Sequence, residues 1–208
     1  RYAYRISGMK EMRVVLPSIE RPKKLPVVLS HNEVRLLLKA PKLLKHRLVL
    51  AMLYGCGLRN FELCNLQLKD LDLERMMLHV RQGKGRKDRY VPLCAMQVRG
   101  LRKYIKAERP VTWCFNGNDR EGNPVALSTT GVRWIVNEAR KHGGIQKEVT
   151  THSLRHSYAT HLLEMGLDII SVKDLLGHAD IQTTLAYLHV AQLGRQRPFS
   201  PLERLYGP

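Results

Sequence analysis

Residues 151–187 read THSLRHSYATHLLEMGLDIISVKDLLGHADIQTTLAY, and this stretch decides how the chain folds. Its apolar residues recur at the spacing of an amphipathic helix. Gly166 and Gly177 each stand where a helix can end, and Asp168 stands where the next can begin. We therefore predict three consecutive helices, which cover residues 151–165, 168–177 and 181–190.

The first predicted helix begins at Thr151, which we interpret as its N-cap. One side of this helix is an apolar stripe at positions i, i+4, i+8 and i+11, which is typical of a buried face. The residues of this stripe are Leu154, Tyr158, Leu162 and Met165. We expect the helix to pack on the core through this stripe.

A second face of the same helix carries groups that can bind phosphate. His152 and Arg155 are one turn apart near the helix N-terminus, where an anion is favoured. His152 and His156 are also spaced like a metal-binding pair. However, the segment has neither the glutamate of an H-E-x-x-H motif nor a third ligand at a usual spacing, so we favour the phosphate interpretation.

The chain is strongly basic. It has 208 residues with 35 Lys+Arg and 18 Asp+Glu, so the net charge is 35 − 18 = +17. The isoelectric point is about 10.1. An excess of this size indicates a polyanionic partner such as nucleic acid, but it does not by itself indicate catalysis.

The rest of the chain predicts an α+β fold that is mainly α-helical, with a small antiparallel β-sheet or hairpin. Further helices are expected over residues 30–39, 43–54, 95–108 and 128–142, with a short one after Arg59. The strands of the hairpin are expected at residues 76–82 and 88–93, on either side of a turn at residues 83–86. Residues 116–124 are expected to form a polar loop.

The four cysteines form no C-x-x-C pair, and three of them lie in apolar patterns: Cys56, Cys64 and Cys94. We interpret them as reduced core thiols of an intracellular protein and expect no zinc site. No run of about 18 apolar residues predicts a membrane span, and no signal peptide is recognisable. We expect a cytoplasmic protein.

The motifs H-x-x-R-H, L-L-G-H and T-T-x-x-Y within residues 151–187 closely resemble the C-terminal signature of the tyrosine recombinase (phage integrase) family. The family also has an arginine in a G-L-R-x-x-E-L context and a lysine in a β-hairpin turn. Residues 57–63 and the G-K-G at residues 83–85 supply both. The resemblance covers residues 30–190 and places six active-site positions at Arg59, Lys84, His152, Arg155, His178 and Tyr187.

The resemblance implies a reaction at a DNA phosphodiester. The two arginines would neutralise the phosphate, and the two histidines would donate hydrogen bonds to it. His152 is also a candidate acceptor of the Tyr187 proton. Tyr187 would attack phosphorus, helped by cations that favour its phenolate, and Lys84 would protonate the leaving 5′-oxygen. The product would be a 3′-phosphotyrosyl link.

The family pattern further implies two rounds of strand exchange through a Holliday junction, with neither cofactor, metal nor ATP. The partners would be double-stranded DNA at specific sites and three further copies of the chain, as a tetramer on two duplexes. The sequence leaves the roles of two other residues, His156 and Glu62, open. We expect His156 to support the site indirectly. Glu62 either braces an arginine or faces solvent, and the second is at least as plausible.

The predicted organisation has three parts. Residues 1–29 form a linker at the end of a missing N-terminal DNA-binding domain, because the chain starts at Arg1. Residues 30–190 form the catalytic domain. Residues 191–208 form a C-terminal tail, expected to pack on a neighbouring protomer. Its apolar anchors would be Phe199, Leu202, Leu205 and Tyr206.

Two alternative functions remain beside the recombinase. A type IB topoisomerase-like enzyme would use the same nicking and closing without strand exchange. A DNA-binding module could retain the fold without catalysis. The L-L-G-H and T-T-x-x-Y motifs favour the recombinase over the first, and the six intact positions argue against the second.

Overall fold

The computed structural model describes residues 26–81 and 88–191. Most of the predicted linker, the hairpin turn with Lys84 and the tail after Ala191 therefore lie outside the described residues. The fold is the predicted α+β type, mainly helical with small antiparallel sheets.

Helices make up most of the described chain, and we number them α1 to α8 in chain order. Their bounds are His31–Lys39 (α1), Leu44–Gly55 (α2), Asn60–Cys64 (α3), Ala95–Glu108 (α4), Thr129–His142 (α5), Thr151–Glu164 (α6), Ile169–Leu176 (α7) and Gln182–Ala191 (α8). A 3-10 turn, Leu68–Asp70, follows α3.

Capping residues fix the ends of several helices, as predicted. Ser30 and Glu33 form a reciprocal capping box at the start of α1. Asp168 accepts two backbone N–H groups in the first turn of α7. Gly177 ends α7 in the left-handed conformation, with φ of 63°.

Two small antiparallel sheets accompany the helices. Their strands are Leu71–Asp72 (β1), Met77–Val80 (β2), Arg89–Pro92 (β3), Asn116–Asn118 (β4) and Pro124–Ala126 (β5). The first sheet has the order β1-β2-β3, and its β2–β3 pair is the predicted hairpin. β4 and β5 form a second hairpin, so the prediction of a polar loop over residues 116–124 is wrong.

Helix α6 is the central element of the fold. It contacts α2, α5, α7 and α8 and is buried on almost every side. Ser157 shows how a buried polar group on α6 is satisfied: its hydroxyl accepts from the Leu29 N–H and donates to the Ser153 carbonyl. The buried Thr160 hydroxyl, by contrast, has no hydrogen-bond partner among the described residues. Because neighbours surround α6, its side chains are held in fixed positions.

Three predictions about single residues are wrong. The N-cap of α6 is Thr150, whose hydroxyl accepts from the Ser153 N–H, and Thr151 is already helical. Met165 lies past the last turn of α6, so it is 69% exposed instead of buried. Cys94 is exposed because it is the N-cap of α4, whereas Cys56 is buried as expected.

Among the described residues, no helix combines the length and apolar character that crossing a membrane requires.

Candidate active site

A tight turn at Gly57 places Arg59 at the N-cap of α3. Gly57 has φ of +57°, and a Cβ added there would lie 2.4 Å from the ring of Tyr158. Only glycine fits this turn without displacing Tyr158. The turn also presents the Gly57 carbonyl oxygen to Arg155 on α6, which donates a hydrogen bond to it. Arg59 and Arg155, which are distant in sequence, therefore lie close together.

Glu62 joins three arginines in the centre of this site. It is buried, and its two carboxylate oxygens accept from the Arg89 guanidinium at 2.9 and 2.7 Å. Arg59 donates to the same carboxylate at 2.7 Å, and an Arg155 nitrogen lies 4.0 Å away. Burial raises the pKa of Glu62, but hydrogen bonding and charge from Arg89 and Arg59 outweigh it and hold the pKa at about 2. The carboxylate is therefore ionised at neutral pH.

The same three arginines hold the C-terminal end of α7. Arg89 donates to the Leu175 carbonyl at 2.8 Å, Arg155 donates to the Leu176 carbonyl at 2.6 Å, and Arg59 donates to the Gly177 carbonyl at 3.3 Å. Three consecutive carbonyls, which a helix leaves without intrahelical partners, thus each bind a different guanidinium. His178 follows directly, so the arginine cluster fixes the backbone from which that side chain extends.

Tyr187 on α8 completes the cluster. Its side chain is buried, and its hydroxyl lies 2.9 Å from Nδ1 of His156. Its ring stacks on that of His178 with 6.1 Å between centroids. Nδ1 of His178 is in turn 2.9 Å from the Thr184 hydroxyl, which orients the imidazole.

Burial controls the protonation of Tyr187 and of His156, which are hydrogen-bonded to each other. It raises the pKa of Tyr187 above its ordinary value, although the charges of Arg155 and Arg59 act in the opposite direction. The expected phenolate is therefore not favoured in this state. Burial, and then the charges of His152 and Arg155, lower the pKa of His156 to about 4. His156 is thus neutral at pH 7 and, in this state, a weaker base than an ordinary histidine.

The structure brings together four of the six predicted residues: Arg59, Arg155, His178 and Tyr187. His152 is exposed on the first turn of α6, and its ring lies 6.3 Å from that of His156. It borders the cluster instead of touching Tyr187. Lys84 lies outside the described residues.

Three further residues belong to the site, and the sequence interpretation missed or underrated them. Glu62 does not face solvent, and His156 contacts Tyr187 directly. Arg89 was not predicted at all. It alternates with Val91 on the buried side of β3, and a basic residue in such an inward position is a signal that could have revealed it.

Comparisons with known proteins identify the family to which the chain belongs. The sequence model of the phage integrase family matches residues 27–193. The chain belongs to this family.

Named relatives and solved structures are recombinases and integrases. A putative integrase/recombinase of Sinorhizobium fredii is 41% identical over 194 residues, which are 93% of this chain and 62% of that protein. The tyrosine recombinase XerA of Thermococcus onnurineus is 39% identical over 90% of this chain and 66% of its own length. This chain therefore spans less than two thirds of both relatives.

Among solved structures, a crystal structure of XerA recombinase superimposes with a TM-score of 0.73 at 30% identity. The match covers 94% of this chain and 72% of that one. XerH recombinase, bound to a palindromic difH substrate in a post-cleavage complex, gives a TM-score of 0.70 at 26% identity. That match covers 88% of this chain and 53% of the XerH chain.

Proposed function

We propose that this chain is the catalytic region of a site-specific DNA recombinase or integrase that cuts and rejoins strands through Tyr187. The observation that carries the proposal is the convergence of Tyr187, Arg59 and Arg155 in a chain of net charge +17. Family membership supports the reaction type. The solved complexes of XerH with its difH substrate, before and after cleavage, support duplex DNA as the partner.

The arginine cluster has the charge that a phosphodiester requires. Three guanidinium groups surround the Glu62 carboxylate, so their formal charges sum to 3 − 1 = +2. Burial, and then the charge of Arg59, lower the pKa of Arg155 to about 10. A bound phosphate would compensate this charge, and the additional negative charge of the transition state would be stabilised still more.

The proposed chemical step is an in-line displacement at phosphorus. The Tyr187 oxygen forms a bond to phosphorus, the bond from phosphorus to the 5′-oxygen breaks, and a 3′-phosphotyrosyl link results. The tyrosine proton passes to a neighbouring imidazole. His156 is the candidate acceptor because its Nδ1 lies 2.9 Å from the hydroxyl, and the negative charge of a bound phosphate would raise its lowered pKa. His152 and His178 are assigned hydrogen bonds to the phosphate.

The departing 5′-oxygen must gain a proton, and we assign its donation to Lys84. The support for this assignment is the G-K-G motif in the hairpin turn. Attack by a 5′-hydroxyl of a second duplex reverses the step and releases Tyr187. Because the phosphotyrosyl bond retains the energy of the broken phosphodiester, the cycle consumes no ATP. Two rounds exchange four strands through a Holliday junction.

The proposed assembly is a tetramer on two duplexes. A chain that exchanges strands between duplexes must hold them side by side, and four active sites are needed for four strands. The tail after Ala191 carries apolar anchors suited to packing on a neighbouring protomer. This tail lies outside the described residues, and its role stays a prediction.

A covalent trapping experiment tests the reaction. The chain is incubated with duplexes that carry a randomised arm and a nick beside each potential cleavage position. The nick lets the short 5′-hydroxyl fragment diffuse away, so the protein stays attached to DNA. We expect a denaturant-resistant adduct with the wild-type chain and none with Tyr187→Phe. Sequencing the trapped DNA would then identify the preferred site.

The outcomes separate the three candidate functions. Adducts that proceed to strand exchange between two duplexes support the recombinase. Adducts that relax supercoils without exchange indicate the topoisomerase-like enzyme. DNA binding without any adduct, or an equal adduct with Tyr187→Phe, rejects catalysis by Tyr187. Tyr90→Phe is a matched control because Tyr90 is an exposed tyrosine on β3.

A further inference from the structure

Two histidines and a glutamate cluster on a part of the molecule that the proposed reaction does not use. His31 is the first residue of α1, whereas His161 and Glu164 are one turn apart near the end of α6. One donor atom from each of the three side chains lies within 4.8 Å of the other two. The His31 and His161 rings stack with 4.0 Å between centroids, and His31 Nε2 is 3.9 Å from a Glu164 oxygen.

The donor set matches the preferences of borderline divalent metals. Two imidazole nitrogens and one carboxylate oxygen are ligands that Zn²⁺ accepts at about 2.0–2.2 Å, with a fourth position left for water. Tetrahedral coordination needs donor atoms roughly 3.4 Å apart, so donor atoms that now lie within 4.8 Å must approach one another, and the His31 ring must turn out of its stack on His161 so that both lone pairs face the ion. His31 and Glu164 can make these movements because their side chains are 53% and 39% exposed.

Tyr54 gives His161 the support that metal-binding histidines usually have. The Tyr54 hydroxyl lies 2.8 Å from Nδ1 of His161 and accepts a hydrogen bond from it in the tautomer that carries the proton on Nδ1. This contact holds the ring in place, and in that tautomer Nε2 would be the metal ligand. His161 is itself buried, and its position is therefore set by the fold before any ion arrives.

We propose that His31, His161 and Glu164 form a binding site for a divalent transition metal such as Zn²⁺. The site is structural, because it shares no residue with the arginine cluster or with the residues around Tyr187. A bound ion would link the beginning of α1 to the end of α6. It would thereby restrain the start of α1, where residues 26–30 lead into the helix.

Metal binding is measured with the purified chain after chelation and dialysis. Cys94→Ser serves as the background because an exposed thiol also binds zinc. Zn²⁺ is titrated against a chromophoric chelator, and Co²⁺ is titrated while the visible absorption of tetrahedral cobalt is recorded. We expect His31→Ala and Glu164→Gln each to remove one equivalent of tight binding. His142→Ala, an exposed histidine outside the cluster, should remove none.

Thermal unfolding provides the second readout. Zn²⁺ should raise the Tm of the background chain, and this rise should disappear in His31→Ala and Glu164→Gln. Both side chains are at the surface, so both variants should keep the metal-free Tm. The proposal is overturned if both variants bind as many equivalents as the background, or if the Zn²⁺-dependent rise persists in them.

Discussion

Glu62 is the residue on which the arginine cluster depends. Its buried carboxylate accepts from Arg59 and Arg89 and lies 4.0 Å from Arg155. Removing one partner from a buried ionic network leaves the remaining charges uncompensated, which is much more costly than losing an exposed ion pair. The geometry of both predicted phosphate-binding arginines therefore depends on one carboxylate.

Glu62→Gln is expected to destabilise the chain by roughly 3–5 kcal/mol, because the buried guanidiniums would repel one another. Glu138→Gln is the matched control, since Glu138 pairs with Lys141 at the surface and its loss should cost far less stability than the loss of Glu62. Urea unfolding at pH 7 measures both. Equal losses in the two variants would contradict the central role of Glu62.

His156 predicts a pH dependence of stability. Its pKa of about 4 in the folded chain lies below the ordinary value of 6.5. Between these values the unfolded chain binds a proton at His156 that the folded chain does not, so stability falls as the pH drops from 6.5 to 4. Above pH 6.5 this residue contributes no pH dependence.

His156→Gln should weaken this decline, because glutamine can still contact the Tyr187 hydroxyl and does not titrate. Denaturant unfolding is compared at pH 7 and at pH 5 for the wild type and the variant. His46 and His161 also have lowered pKa values, so the variant should retain part of the slope. Identical slopes for the two proteins would show that His156 is not held neutral by the fold.

At the scale of the elements, hydrogen bonds from two arginines connect the turn before α3 to the end of α7. Gly57 positions Arg59 and also accepts from Arg155, while both arginines bind carbonyls at the end of α7. The backbone conformation of this turn therefore sets the positions of both arginines.

Gly57→Ala is expected to cost about 1–3 kcal/mol from the left-handed conformation, and more because its Cβ would meet the Tyr158 ring at 2.4 Å. Gly144→Ala serves as the control that separates the cost of the left-handed backbone from the cost of the clash with Tyr158. Gly144 has φ of +66°, and a Cβ there would meet nothing within 4 Å. Thermal or urea unfolding should show a clearly larger loss for Gly57→Ala, and equal losses would exclude the contact with Tyr158.

The elements that could be predicted are those with local signals. Capping residues located the starts of α1, α5 and α7, and the turn at residues 83–86 between two strand-like segments located the β2–β3 hairpin. The two-residue strand β1 is too short to show alternation, and β4 consists of Asn116, Gly117 and Asn118, which have low strand propensity.

The residues of the site also divide into those with a local sequence signal and those without one. Arg59, Arg155, His178 and Tyr187 stand in recognisable motifs, and the structure brings them together. The burial of Glu62 depends on Arg89, which reaches it from a different strand. The contact of His156 with Tyr187 depends on how α8 packs on α6. No local pattern encodes such tertiary contacts.

At the scale of the whole molecule, the described domain is one part of a larger proposed assembly. The family match extends to residue 193, so the chain continues beyond the matched region by only 15 residues. α8 carries Tyr187 and ends at Ala191, which is buried. A truncation that tests the tail must therefore leave Ala191 in place.

Deletion of residues 192–208 is expected to leave DNA binding close to that of the intact chain and to impair the pairing of two duplexes. Gel-shift titration measures the first property, and recombination between two trapped sites measures the second. Replacing the four apolar anchors by serine in the full-length chain controls for the effect of shortening. Unimpaired recombination by the truncated chain would contradict the trans-packing tail.

The three carbonyls at the end of α7 also have a consequence for how the chain folds. Their partners Arg59, Arg89 and Arg155 come from the N-cap of α3, from β3 and from α6, which are far apart in sequence, so the entropy of closing long loops opposes their assembly. During synthesis, an emerging chain would therefore lack an assembled nucleophile site until α8, which carries Tyr187, is complete. Pulse-labelled hydrogen exchange checks this order. Early protection of the amides in α8, before those of β3, would contradict it.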